Sequence, residues 1–245
     1  MLCWVISVSV VWAQMDDEVV AKKKYEVYKT QVMAGDLKID WRDFRLTAAL
    51  GEVSQGFDSQ PVHNQVVDDL AAGRYEKALA EAQTVIDRNM ANGEGHLLAM
   101  TVLQKMGRNE DAEKHEAILN AIGQSIMESG DGSSAATAWF TVAPSETIFF
   151  MSEALGAEIE DHDLVHVNGH AYDKLTVRDR QGKRRVVWFN TDTNELLRQR
   201  ALHPKDASTI GLSLPPKTWH NIRRICAPTP LTRLGSSTGT FLTVE

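Results

Sequence analysis

Between residues 16 and 34 the chain reads DDEVVAKKKYEVYKTQVMA, and apolar side chains return at helical spacing. Val20, Val27, Tyr28 and Val32 form the stripe expected to be buried; Lys24 interrupts it and Gly35 stops the helix. A second helix is expected from Asp40, an N-cap with Asp43 three residues on, and Trp41, Phe44, Leu46 and Leu50 supply its buried side. Helical spacing continues over 62–72, from Gly73, over 94–106 and from Gly107. After Ser129 the period changes to alternation. TAWFTV (137–142) reads as a strand, and 144–156 as a short helix started by Ser145 and stopped by Gly156. Asn168-Gly169 suits a two-residue hairpin turn, and Gly182 supplies positive φ to the turn in DRQGK (179–183). Strands are therefore expected near 163–167, 170–178 and 184–190, joined by 137–142 in a small antiparallel meander. Helices first and strands later predict an α+β fold, a single domain over 14–200 with a helical layer (16–128) and a sheet layer (135–192).

The middle third repeats. GRYEKAL begins at Gly73 and GRNEDAE at Gly107, 34 residues apart, so that Arg74 matches Arg108, Glu76 matches Glu110 and Ala78 matches Ala112. A helix, a glycine turn and a helix at this period resemble the tetratricopeptide repeat. Glycine takes the left-handed turn conformation at low cost, and the small alanine lets paired helices approach. Asn109 stands where the first unit has Tyr75, and Met100 where a small residue is usual. The surface around Tyr75, His96 and Met100 is the candidate for binding a partner.

Composition narrows the setting. Apolar residues make up 43% of the 245 and the net charge is −7, a globular balance that disfavours general nucleic-acid binding. Residues 2–12 are almost all apolar and lead into Val11-Trp12-Ala13, which resembles a secretory signal cut after Ala13. No Lys or Arg precedes the run, and a buried N-terminal strand is the alternative. An exported protein, periplasmic or extracellular, with no membrane span in the mature chain is expected. Removal of residues 1–13 leaves Cys226 alone, so no internal disulfide is expected; without a CxxC pair, thiolate zinc and thioredoxin-like chemistry are excluded. Residues 201–245 hold five of the seven prolines and carry positive charge, and read as a mostly disordered tail.

The order of GDLKIDWRDFR, GRYEKAL, MGRNEDAEKH, SGDGSS, TAWFTV, YDKLTV and VVWFN resembles a bacterial family called domain of unknown function 4919, over about residues 17–197. The resemblance implies a secreted or envelope-facing protein with no established activity, and it supplies no catalytic residues.

The candidate chemistry is thin. In SGDGSS (129–134), Asp131, Ser133 and Ser134 are candidate ligand contacts. One carboxylate is too few for calcium, and the Walker Lys is missing. The simpler reading is a turn in which Gly130 ends a helix and serines satisfy loose N–H groups. His162, His166 and His170 lie among carboxylates, but the Asn-Gly turn sets His166 and His170 on opposite faces, and no metal or other cofactor is expected. A Ser133–His166–Asp173 hydrolase can be drawn, yet no G-x-S-x-G surrounds any serine, so no catalytic residue is assigned. The leading expectation is a non-catalytic interaction module for another envelope protein. The alternative is an envelope enzyme or small-ligand binder with its site at the 129–134 loop.

Overall fold

The computed structural model describes residues 5–202, with side chains from 17 to 201; the expected disordered tail lies, but for its first two residues, outside the described residues. The first helix, α1 (Val5–Met33), starts earlier than its apolar stripe suggests and is helical through residues 5–13, where a strand was the alternative. It ends at Gly35 (φ 84°), where Asp36 N–H reaches back to the Gln31 carbonyl and closes the last turn.

Its buried side is not the expected stripe. Ala21, Tyr25 and Val32 are buried and Tyr28 half-buried, whereas Val20 and Val27 are 62% and 60% exposed. The aromatic rings decide this, because Tyr25 and Tyr28 both pack on Phe44 of α2 (Trp41–Leu50). Lys24, the interruption in the stripe, pairs with Asp43 at 2.6 Å, and the same carboxylate accepts the Tyr28 hydroxyl at 2.8 Å. Asp40 caps α2 as expected by accepting from Asp43 N–H at 2.9 Å. Trp41 and Phe44 are buried, Leu46 and Leu50 half-buried.

Four helices follow: α3 (Gln60–Ala71), α4 (Tyr75–Arg88), α5 (Gly93–Lys105) and α6 (Asn109–Met127). Each packs on the next, which makes two helical hairpins. The 34-residue period reappears as repeated backbone geometry. Gly73 has φ 71° and Gly107 φ 74°, and Arg74 N–H to Asp69 O is matched by Arg108 N–H to Leu103 O. Ala78, Ala82, Leu98, Ala99 and Val102 interlock with Val66 and Ile86 in a core of the hairpins' own.

The sheet is mixed rather than antiparallel. β2 (Glu158–Val167), β3 (His170–Arg178) and β4 (Arg184–Asn190) form the expected meander, and Val167 pairs with His170 across the Asn168-Gly169 turn. β1 shrinks to Trp139–Phe140 and runs parallel to β4, giving the order β1-β4-β3-β2. Alternation does not encode strand direction. The chain leaves β1 through α7 (Pro144–Phe149) and a π-helical turn (Phe150–Ala154), then returns so that β4 lies alongside β1 in the same sense. β2 begins five residues before the expected start, because its acidic first half is drawn along β3 past an irregularity between Ile159 and Asp161. A last helix, α8 (Asp192–Leu202), is one that the hydrophobic pattern does not announce.

The main core joins both layers. Tyr25, Phe44, Ile122 and Ile126 of the helices meet Trp139, Phe150, Leu175, Val177 and Phe189. Trp139, Phe150 and Phe189 pack with centroids 5.3 to 6.2 Å apart. Burying three such rings contributes several kcal/mol, and this cluster locks sheet to helices.

Candidate functional site

The 129–134 loop leaves α6 and enters β1. Ser129 Oγ donates to the Ile126 carbonyl at 2.6 Å and accepts Phe140 N–H at 2.7 Å. Asp131 and Gly132 N–H both donate to the Thr137 carbonyl, at 3.0 and 2.8 Å. The Gly132 carbonyl accepts Trp188 N–H at 2.9 Å, which ties the loop to β4. Asp131 Oδ1 accepts Ser133 N–H at 2.8 Å, and the hydroxyls of Ser133 and Ser134 lie 3.2 and 3.0 Å from Thr137 Oγ1. Hydrogen bonding from Thr137, then from Ser133, holds the exposed Asp131 carboxyl down at about 2. The polar groups of the loop are thus satisfied by one another and by residues 126–140 and 188, as a turn requires.

The glycine matters more than the aspartate. Gly132 has φ 68°, and a Cβ there would lie 2.5 Å from the Trp139 ring. Gly132→Ala is expected to destabilise by about 2–4 kcal/mol, from the left-handed backbone and the ring displaced. Asp131→Ala is expected to lower the urea midpoint by less than Gly132→Ala does. The reverse order in urea unfolding would make the carboxylate the loop's principal feature.

The candidate partner residues are not all exposed. Tyr75 packs against the core of the hairpins and Met100 is half-buried. His96 is 1% exposed and so is unavailable to a partner. Its Nε2 lies 3.0 Å from the Met90 carbonyl and its Nδ1 2.9 Å from Nδ1 of His115. The carbonyl can only accept, so His96 carries its proton on Nε2, and His115 Nδ1–H donates to the bare His96 Nδ1. Burial pushes the pKa of His96 down to about 4. It serves as the polar joint of α5, α6 and the 89–92 turn.

The sheet histidines disperse as the hairpin register requires. His166 pairs with Ala171, and Val167 with His170. Asp173 is taken by His162, whose Nε2 is 2.8 Å from Oδ1, so the Ser133–His166–Asp173 arrangement fails at its His–Asp contact. The hydrogen bond that His162 donates to Asp173 raises the pKa of His162. His170 Nδ1 instead meets Asp192 Oδ2 at 2.7 Å, at the start of α8. Among the described residues no three His, Cys, Asp or Glu side chains are grouped to hold a metal ion.

Three features carry no sequence signal. Arg45, in the middle of α2, is 0% exposed and meets Glu146 Oε2 with Nη1 at 2.6 Å. Its Nε and Nη2 are buried without a hydrogen-bond partner. His63 and Ser59 both meet Glu94, at 2.9 and 2.8 Å, which raises the pKa of His63. A cleft of about 480 Å³ lies between the start of α2 and the end of α6, lined by Asp40, Trp41, Arg42, Gln124, Glu128 and Ser129 among others. The Arg42 guanidinium stands 4.7 Å from the centre of the Phe140 ring. No helix among the described residues is long and apolar enough to cross a membrane. Comparison of the chain with protein-family models, with curated proteins and with solved structures finds no match.

Proposed function

We propose that the protein is an exported, non-catalytic interaction module of the cell envelope, with its partner surface on the helical layer. The observation that carries this is the pair Val20 and Val27. They stand seven residues apart, hence on one face of α1, and that face is turned away from Ala21, Tyr25 and Val32. Exposed apolar residues repeated along one helix face suit a partner helix or groove. Val19, elsewhere on α1, and Val67, on α3, are exposed as well. The tetratricopeptide-like period and the resemblance to domain of unknown function 4919 support the same reading, and the apolar run at residues 2–12 supports export.

The test is quantitative capture from envelope extract with the natural chain and with Val20→Asp/Val27→Asp. The expected result is one specific protein lost with the double substitution, captured on bait whose mass begins at Gln14. Capture of the same proteins by both baits would overturn the reading. A second reading, a small-ligand binder at the 129–134 loop, is favoured by one observation: Ser129 lines the cleft beside α2. A small molecule retained by the purified chain and lost on Ser129→Trp would favour it.

A further inference from the structure

We propose that the outer edge of β2 takes up an extended basic segment of a partner protein as a further strand of the sheet. This does not depend on the helical face considered above. β2 stands at the end of the strand order, with β3 as its one neighbour in the sheet. It also packs against the 150–154 turn, and His166 lies near enough to Glu195 of α8 to help lower that carboxyl's pKa. Among the described residues no backbone hydrogen bond reaches β2 from outside its ladder with β3. About half of the N–H and C=O groups of an edge strand point outward and await a partner, and an added strand satisfies them.

The side chains of the edge say what that strand should carry. Leu164 lies opposite Asp173, His162 opposite Leu175 and His166 opposite Ala171, so these three share the core-side face of the sheet. The core takes in Ile159 at the start of β2, but further along the strand Leu164 remains 53% exposed. Asp161 and Asp163 lie on the other face, opposite Thr176 and Lys174, and both are exposed. Lys174 also stands 5.8 Å from the centre of the Trp188 ring. Glu160 is engaged by Arg178 and Arg184; Glu158, Asp161 and Asp163 are the exposed carboxylates of β2, and the last two lie in its middle, where an incoming strand would meet them. A strand alternating apolar residues with Lys or Arg answers both faces: its apolar side chains cover Leu164, and its cations meet Asp161 and Asp163. A second copy is the poorer occupant, because β2 against β2 sets carboxylate-rich strands side by side.

The experiment uses the full chain and three acetylated, amidated peptides: alternating Lys-Val, alternating Glu-Val, and the Lys-Val peptide with a central proline. Backbone hydrogen exchange locates binding, and fluorescence anisotropy measures it at low ionic strength. The Lys-Val peptide is expected to protect amides within 161–167, and the proline peptide to bind more weakly. Asp161→Lys/Asp163→Lys, at exposed positions, should weaken the Lys-Val peptide by about tenfold or more and admit the Glu-Val peptide. Protection elsewhere, indifference to the charge reversal, equal binding of the proline peptide, or no binding at millimolar peptide would each overturn the proposal.

Discussion

Glu146→Ala is expected to lower the free energy of unfolding by about 3–5 kcal/mol, the cost of leaving a buried charge without its counter-ion. Arg45 projects from α2 into the interior and is wholly buried, and the Glu146 side chain is 10% exposed. The two are 101 residues apart in sequence. Glu146 Oε2 also accepts Val142 N–H at 2.8 Å, at the entry to α7. One carboxylate oxygen therefore neutralises the guanidinium and satisfies a backbone donor. Removing it strands both, and Arg45 already has two nitrogens without partners. Replacing both members together should cost far less. Arg45→Met/Glu146→Met exchanges two desolvated ions for apolar groups of similar length and is expected to recover most of the loss. Urea unfolding of the natural chain and the two variants checks this. A loss under about 1 kcal/mol for Glu146→Ala would describe a pair exposed to water.

Lowering the pH from 7.5 to 5.0 is expected to destabilise the protein through His96 by about 2 kcal/mol, and by about 3 kcal/mol in total near pH 4. The folded pKa is about 4 against an ordinary 6.5, and burial is the main cause. The unfolded chain therefore binds the additional proton between these values. The contribution is fully present above pH 6.5 and is lost as pH falls toward the folded value. His115, lowered by burial, acts in the same direction. His63 and His162 oppose it. Glu94 and Asp173 raise their folded values, so their contributions are present below pH 6.5 and fade as pH rises through those values. His96→Gln separates the effects, since glutamine has no proton to gain in this range. Its unfolding free energy should fall less between pH 7.5 and 5.0 than that of the natural chain. Equal slopes would remove His96 from the acid response.

The local features of this fold were legible residue by residue. Asp40 and Asp43, Gly35, Gly73, Gly107, Asn168-Gly169 and Gly182 each act within a few residues of themselves, through caps and positive φ, and each ended or turned an element where expected. The turn character of the 129–134 loop was legible for the same reason. Its serines and aspartate bond to neighbours no further off than Thr137 and Phe140. The 34-residue period likewise told of two helical hairpins, because a repeated local rule repeats its geometry.

The features that the local pattern does not decide lie where distant elements choose among equivalent local options. Val20 and Val27 are as apolar as the buried positions of α1, but Tyr25 and Tyr28 offer Phe44 more surface, so the helix turns its aromatic side inward. His96 sits on a helix face that would be open in an isolated hairpin, and the 89–92 turn and α6 close over it. Asp173 had two histidines within reach of its face, and pairing along β2 brought His162 to it. By itself the sequence determined the order and kind of the elements and the turns between them, because those follow from backbone preferences and hydrophobic period over a few residues. The tertiary structure alone decided the direction of β1, the inward side of α1, the burial of Arg45 against Glu146 and the place of β2 at the edge of the sheet. Each of these depends on which surfaces meet across long separations in the chain, and periodicity carries no record of that.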